Sequence, residues 1–292
     1  MKKPLFVFLL LSTIWGSTWL FIKLGLADLP PFTFAGIRFV IAVLPLLVVL
    51  AVRRPPLPRR PADWWLMIWT GILTFTVAYG LVFWGEQHVS SGLTSILYTT
   101  MPLFGLVLAH FSVQGESMTF RKLGGVLLGI VGVVLVFSRE LVSDAPLAIW
   151  GSLAILGSSF VSALAGVAVK RRAGHLDLSL LTAVQMVAGL VLLLAIGIPL
   201  EGSPLSFRWT PMAVASLLYL AFVGSALPFV LYYWLIRRIP VTQVQLIPLV
   251  STLIAVSLGA VVLGERLGWW TALGAAGVLA GLALATLPRA EK

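Results

Sequence analysis

Three side chains in the first apolar segment share one helix face and together could bind a small molecule. Trp15, Trp19 and Lys23 stand at i, i+4 and i+8, which places them on the same side of an α-helix. Indole rings stack on aromatic groups and attract cations over their faces. The alternative is that both tryptophans face lipid while the lysine extends to the membrane surface. Because Trp15 and Trp19 would lie too deep for an interfacial position, we expect them to line a cavity.

Further aromatic, hydroxyl and amide side chains lie in other apolar segments. Tyr79, Phe83 and Glu86 follow one another at i, i+4 and i+7 on one helix face. Polar groups in membrane helices usually face the interior of the helix bundle, although some only hydrogen-bond a neighbouring helix. The candidates for substrate binding are Trp15, Trp19, Tyr79, Phe83, Tyr98, Thr99, Ser158, Ser162 and Gln245.

Two charged residues, Arg38 and Glu86, fall inside apolar segments. A charge at that depth is costly and is usually paired. Glu86 is the most obvious embedded carboxylate for Arg38, so we predict an ion pair between them. The alternative for Arg38 is a side chain that extends to the outer face of the membrane.

These residue types do not favour a catalytic function. An intramembrane protease would need paired Asp, a Ser–His pair or HExxH at membrane depth. None of the 10 acidic residues lies near a helix midpoint, and His88, His110 and His175 lie near segment ends. Cys is absent, which excludes thiolate nucleophiles and Cys-ligated metals. We expect no metal, no cofactor and no enzymatic activity; an intramembrane enzyme remains a remote alternative.

The elements that must position these residues are membrane-spanning helices. The chain of 292 residues is 60% hydrophobic and 10% charged, with a mean hydropathy of +1.05, whereas soluble domains carry about 25% charge. Apolar segments of about 20 residues can each cross about 30 Å of hydrocarbon. The sequence predicts an all-α polytopic membrane protein with ten such segments, at 5–27, 31–52, 64–86, 90–112, 119–138, 148–169, 176–198, 210–236, 241–262 and 268–287.

The distribution of Lys and Arg predicts the orientation of the chain. Most of the 20 basic residues fall in loops on one side, and the loops on the other side hold Arg139, Arg208 and Arg266 alone. Basic loops stay on the cytoplasmic side of a membrane. We therefore predict a multi-pass protein of the bacterial inner (plasma) membrane with both termini cytoplasmic. The same distribution explains the net charge of +10, so a nucleic-acid partner is excluded.

The second half of the chain resembles the first half. Lys23 aligns with Lys170, Arg38 with Gln185, and Pro102 with Pro248, always at a shift of about half the chain length. Each copy, residues 1–146 and 147–292, would contain five helices. Because five is odd, the second copy must enter the membrane from the opposite side. Such 5+5 inverted-topology repeats are the device by which secondary transporters open a central cavity alternately to each side.

Paired prolines mark the centre of this repeat. A proline inside a helix removes a backbone hydrogen bond and kinks the helix. Pro102 and Pro248 occupy corresponding places, so we expect two bent helices beside the cavity, with freed carbonyls open to water or substrate or with the bends acting as hinges.

These features together resemble a known family. Ten spans, the inverted repeat, WGSTWLFIK (15–23), the mid-helix prolines and a Gly-Glu pair before the Gly-rich last helix of each half are similar to the EamA-type drug/metabolite transporters. The likeness is strongest to the YddG-like bacterial amino-acid and metabolite exporters. The resemblance implies a central cavity lined by helices 1, 3, 4, 6, 8 and 9, with helices 5 and 10 peripheral.

The function predicted from these residues is alternating-access transport of small amphipathic metabolites, most of all neutral and aromatic amino acids. Aromatic walls with hydroxyls and amides suit such a substrate. Because no acid lies near a helix midpoint, we expect facilitated diffusion (uniport) and no proton coupling. A multidrug or phosphorylated-metabolite carrier is the alternative within transport.

Small residues in helices 5 and 10 bear on the oligomeric state. Gly125, Gly129 and Gly132 recur at packing spacing, as do Gly277 and Gly281. Glycines let helix backbones approach closely in a membrane. We expect them to pack within a monomer more than in a homodimer, so the predicted partners are a small-molecule substrate and the lipid bilayer.

Overall fold

Ten helices make up the described part of the chain. The computed structural model describes residues 2–113, 117–140, 147–226 and 247–286, with Pro228, Leu231, Trp234, Leu235 and Arg238 in the interval between the last two ranges. No strand occurs among these residues. The helices are α1 Lys2–Gly25, α2 Pro31–Arg53, α3 Pro61–His88, α4 Ser91–Ser112, α5 Phe120–Glu140, α6 Ala148–Arg172, α7 Leu178–Glu201, α8 Pro211–Leu218 with its continuation Tyr219–Ala226, α9 Ile247–Leu263 and α10 Trp269–Thr286.

The lengths and composition of these helices fit a membrane protein, as the sequence predicted. Seven of them, α1 to α4, α6, α7 and α10, are long and apolar enough to span a bilayer. In the described residues, α8 and α9 are shorter apolar helices, and α5 has 21 residues.

Several helices begin at signals readable from the sequence. Prolines occupy the first turn of α2, α3 and α8, where a missing N–H costs nothing. The side chains of Ser90, Asp177 and Thr210 accept hydrogen bonds from the first free N–H groups of α4, α7 and α8.

The packing of the helices follows a two-fold repeat. Helix α1 packs on α9, as α6 packs on α4; α3 packs on α6 and α7, as α8 packs on α1 and α2. The pairs α2–α7 and α5–α10 are each formed by corresponding helices. Exchanging the two halves therefore reproduces the same set of contacts, which is the arrangement of the predicted 5+5 inverted repeat. The boundary between residues 146 and 147 stays a prediction.

Glycines hold α5 and α10 together inside one chain. A Cβ added at Gly132 would lie 2.5 Å from the carbonyl oxygen of Gly274, and one at Gly125 would lie 2.5 Å from that of Gly281. Such an approach is possible only without side chains, and close backbone packing stabilises helix pairs in lipid. The glycine faces are thus used within the monomer.

Two helices widen to π-helical geometry at matching places. The segments are Ile72–Ala78 in α3 and Tyr219–Ala226 in α8, and they are related by the same shift that relates Lys23 to Lys170. Segments of this kind leave backbone groups without their usual partners and are frequent at functional sites. Two hydroxyls join the first segment to neighbouring helices: Ser158 Oγ of α6 donates to the Ala78 carbonyl at 2.7 Å, and Thr76 Oγ1, within the segment, donates to the Gly189 carbonyl of α7 at 2.9 Å.

Helix α4 is interrupted just before Pro102. Its regular turns end at Tyr98 and resume at Met101. The Thr99 hydroxyl donates to the Ser95 carbonyl at 2.7 Å, and the Thr100 hydroxyl donates to the Leu97 carbonyl at 2.6 Å. In contrast, Pro248 lies in the first turn of described α9, and the residues before it, 241–246, are outside the described ranges.

The close α5–α10 packing predicts a sharp difference between two glycine substitutions. Gly132→Ala would push a methyl group into the α10 backbone, so we expect the free energy of unfolding to fall by about 1–3 kcal/mol. Gly124→Ala on the same helix is the matched control, because its Cβ would meet only a Leu284 methyl at 3.7 Å. Thermal unfolding of both variants in detergent measures the effect; equal melting temperatures would contradict the proposed packing.

Candidate functional site

Aromatic rings from three helices meet near the middle of the bundle. The Trp19 ring of α1 and the Tyr98 ring of α4 lie 5.2 Å apart between centroids. Tyr79 of α3 belongs to the same apolar cluster, and all three rings are only half-buried. The Tyr98 hydroxyl shares a hydrogen bond of 3.0 Å with Ser162 of α6. The centre therefore brings together both repeats and presents aromatic faces beside hydroxyls.

A second aromatic contact joins α1 to α8. Its residues are not among those predicted from the sequence. The Ser17 hydroxyl and the Tyr219 hydroxyl are 2.6 Å apart, and the Phe21 ring stacks on the Tyr219 ring at 3.9 Å. Tyr219 is the first residue of the π-helical segment of α8. Ser17 and Phe21 lie within the WGSTWLFIK motif, beside the Trp15–Trp19–Lys23 face. That position is the one sequence signal that could have identified them.

Arg38 is buried in the bundle, with 2% of its surface exposed. Its Nε and Nη2 donate to Ser225 Oγ of the α8 π-helical segment at 3.3 and 3.2 Å. Its guanidinium carbon lies 5.3 Å from the centroid of Tyr79 and 5.4 Å from that of Phe39, in cation–π range. Nη1 has no hydrogen-bond acceptor among the described residues. The result is a buried cation with one donor group to spare.

The residue aligned with Arg38 makes a related contact in the other half. Gln185 Nε2 of α7 donates to Thr70 Oγ1 of α3 at 2.8 Å. Arg38 of α2 thus reaches α8, and Gln185 of α7 reaches α3, which is the exchange that the repeat requires.

Lys23 and Glu265 hold the corner between α3 and α4. Lys23 Nζ donates to the carbonyl oxygens of Glu86 and Val89 at 2.6 and 2.7 Å. Glu265 accepts from the backbone N–H groups of Ser91 and Gly92 at 2.8 and 3.0 Å. A cation at a helix C-terminus and an anion at a helix N-terminus both interact favourably with the helix dipole. Lys23 is therefore bound to backbone and is not free to meet a substrate.

Glu86 does not form the predicted ion pair with Arg38. The side chain is fully buried, and neither carboxylate oxygen has a hydrogen-bond partner in the part of the chain that the structure describes. Arg38 instead uses Ser225 and aromatic rings. The sequence placed the two charges at similar depth but could not show the direction of either side chain.

Hydroxyl pairs tie the interruption of α4 to its neighbours. The Thr99 and Thr252 hydroxyls, on α4 and α9, are 2.5 Å apart. The Thr100 and Ser159 hydroxyls, on α4 and α6, are 2.9 Å apart. The break near Pro102, in the first repeat, is thus held by two helices of the second repeat.

The sequence and the fold both match known proteins. The model of the EamA-like transporter family matches this chain twice, over residues 2–138 and 149–287. The chain belongs to the EamA-like transporter family.

Two relatives of this EamA-like chain illustrate the likeness. An uncharacterized transporter of Bacillus subtilis, YoaV, is 30% identical over 286 residues, which cover 98% of this chain and 97% of the relative. An uncharacterized inner membrane transporter of Escherichia coli, YedA, is 31% identical over 275 residues, covering 90% of this chain and 85% of the relative. A solved crystal structure that is 19% identical superposes with a TM-score of 0.67 over 97% of each chain, which is a likeness of fold.

The predicted site residues of the EamA-like chain fall into two groups. Trp19, Tyr79, Tyr98 and Ser162 lie together at the aromatic centre. The others have different surroundings or lie outside the described residues: half-buried Trp15 packs with Val7, Leu11, Leu235 and Ile247, Phe83 is fully buried against Phe34, Ser158 binds the Ala78 carbonyl, Thr99 binds Thr252, and Gln245 falls in 241–246.

The bonds of Lys23 predict a loss of stability when its charge is removed. Lys23→Met would leave the carbonyls of Glu86 and Val89 buried without a donor, so we expect the free energy of unfolding to fall by about 1–3 kcal/mol. Lys3→Met is the control, because Lys3 is exposed on the same helix. Melting temperatures measured in detergent test this prediction. A Lys23→Met protein as stable as the Lys3→Met protein would contradict the role of Lys23 as the donor to these carbonyls.

Proposed function

We propose that this EamA-like transporter carries small amphipathic metabolites by alternating access, with neutral and aromatic amino acids as its first substrates. The proposal rests above all on one observation. A buried guanidinium with a spare donor, Arg38, lies against the aromatic cluster that includes Tyr79 and Trp19. A carboxylate and an apolar or aromatic side chain are the two parts of an amino acid that such a centre would recognise.

A substrate carboxylate would suit Arg38 because a buried, unpaired charge is costly. An unpaired cation in a low-dielectric interior is unfavourable unless an anion or acceptor joins it. Arg38 has only the neutral Ser225 hydroxyl and ring faces as described neighbours for its hydrogen-bonding and cation–π contacts. A substrate carboxylate would add a charge-assisted bond to Nη1, which is roughly twice as strong as a neutral one.

An apolar or aromatic substrate side chain would suit the half-buried rings. Trp19, Tyr79 and Tyr98 come from three helices, and each is partly exposed. Ring-to-ring contacts contribute about 0.5–1.5 kcal/mol beyond the area that they bury. The Ser162 and Tyr98 hydroxyls supply hydrogen-bonding groups for the amino end of the substrate.

The other substrate classes fit the centre less well. A phosphorylated metabolite favours two or more cations, but Lys23 is bound to the carbonyls at the α3–α4 corner. A cationic drug would be repelled by Arg38. Both remain possible outcomes of the experiment below.

The membrane and the orientation belong to the same proposal. We infer a location in the bacterial plasma membrane, since the relative YedA is an inner membrane transporter, with both termini in the cytoplasm because basic loops stay on that side.

Counterflow in proteoliposomes tests the substrate class. Vesicles loaded with unlabelled phenylalanine should accumulate labelled phenylalanine and leucine, and should accumulate neither a phosphorylated sugar nor a cationic dye. Accumulation of the dye alone, or of the phosphorylated sugar alone, would reject the amino-acid proposal.

A matched pair of arginine variants tests the proposed anchor in the same assay. Arg38→Gln installs the side chain found at the aligned position 185 and removes the charge. We expect the KM for phenylalanine to rise about 10- to 100-fold, the effect of losing 1.5–3 kcal/mol of charged hydrogen bonding. The control is Arg208→Gln, because Arg208 is an exposed partner of Asp28. An unchanged KM in Arg38→Gln would remove Arg38 from the site.

A further inference from the structure

Glu86 differs from the other acidic side chains that the structure describes. Each of these others is engaged by a defined partner. Glu201 accepts from the N–H groups of Phe32 and Thr33 at 2.8 and 2.7 Å, Glu265 from those of Ser91 and Gly92, and Asp177 from those of Ser179 and Leu180; Asp63 contacts His175, and Asp28 contacts Thr210 and Arg208.

The Glu86 carboxyl group has no such partner. Its side chain is fully enclosed, and both oxygens lack a hydrogen bond within the described ranges. Leaving an ionised carboxylate in that condition is far more costly than leaving the neutral acid, which carries no net charge to desolvate. The conformation described here therefore favours a proton on Glu86.

The charged groups around Glu86 do not remove this cost. Three lie within electrostatic range: Lys23 of α1, Arg38 of α2 and Glu265 between α9 and α10. Lys23 and Arg38 favour a negative charge on Glu86, but neither donates to its carboxylate: Lys23 donates to backbone carbonyls, and Arg38 donates to Ser225. Glu265 is itself an anion, which opposes a negative charge on Glu86.

The remaining neighbours among the described residues bring no further charge. Helix α6 packs beside this part of α3 with Gly151 and Ile155 against Gly85, and its ionisable residues, Lys170, Arg171 and Arg172, stand at its far end. On α3 itself the nearest titratable residue is His88, whose ring contacts Trp84 at 4.8 Å.

We propose that Glu86 is a proton-binding site that couples proton movement to the transport cycle. This inference rests on the proposed transport function and replaces the uniport predicted from the sequence. Glu86 takes up one proton from water on one side of the membrane when the bundle closes around it. It releases that proton to water on the other side when the opposite opening hydrates the carboxyl group. By linkage, proton binding and closure favour each other.

The backbone of the same residue connects this site to the α3–α4 corner. The Glu86 carbonyl is the acceptor of the shortest Lys23 bond, at 2.6 Å. A shift of α1 against the α3–α4 corner would therefore also displace the segment that encloses the Glu86 side chain. Proton binding at Glu86 and the position of α1 are linked through one residue.

Infrared spectroscopy tests the protonation without needing a substrate. Wild-type protein at neutral pH should show the C=O stretching band of a buried carboxylic acid, and Glu86→Gln should lose it. Glu201→Gln is the matched control and should keep it, because the Glu201 carboxylate is held by two N–H groups. Glu86→Asp should restore a shifted band, which separates loss of the acid from misfolding. A wild-type spectrum without the band would overturn the proposal.

Transport in proteoliposomes tests the coupling, with labelled phenylalanine as the probe. A pH gradient imposed across wild-type vesicles should drive accumulation above equilibrium, and Glu86→Gln should abolish that gradient-driven accumulation. Counterflow in wild-type vesicles without any response to the gradient would overturn the coupling while leaving the transport function intact. If counterflow itself fails, the proposed substrate fails, and the infrared band still decides the state of Glu86.

Discussion

The structure depends on one constraint, which is that backbone polar groups in hydrocarbon must be satisfied by the protein itself. Helix ends and helix irregularities are where this requirement is hardest to meet. In this chain, side chains from other helices meet it. Lys23 binds the carbonyls that end α3, Glu265 binds the N–H groups that begin α4, and Glu201 binds those that begin α2. In this EamA-like transporter, Lys23, Glu265 and Glu201 thus join helices to one another.

The same requirement shapes the centre of the molecule. The π-helical segments of α3 and α8 lie at corresponding places in the two repeats, and each is contacted from the other half: Ser158 donates to the Ala78 carbonyl, and Arg38 donates to the Ser225 side chain. The break in α4 is tied to two helices of the second repeat by Thr99 and Thr100. Non-regular backbone at membrane depth is tolerated where it is buried in protein or lines a cavity. Because each half supplies partners to the other, a change of conformation in one must alter the other.

Much of this could be predicted from the sequence, because the signals are repetitive. The hydropathy of the sequence predicts the helices, and the similarity between its two halves predicts the repeat. Helical spacing predicts that Trp19 and Tyr79 lie on inward faces. The π-helical segments could not be predicted, since Ile72–Ala78 and Tyr219–Ala226 carry no proline or glycine pattern that requires them. The pairing of charges also escaped prediction. Glu86 is the predicted partner of Arg38, yet Arg38 binds a hydroxyl and aromatic rings, and Lys23 binds backbone carbonyls. The depth of a charged residue within an apolar segment does not specify the rotamer of its side chain or the group that it contacts.

The central claim is that two linked halves expose one shared centre to each side in turn. Because the chain has no cysteine, a single Ser162→Cys substitution beside Tyr98 provides a direct probe. The decisive measurement is its labelling by a membrane-impermeant maleimide, applied from either side of oriented vesicles. Alternating access predicts labelling from both sides and a decrease of both when phenylalanine is added. Labelling from one side only, whatever the conditions, would contradict the account.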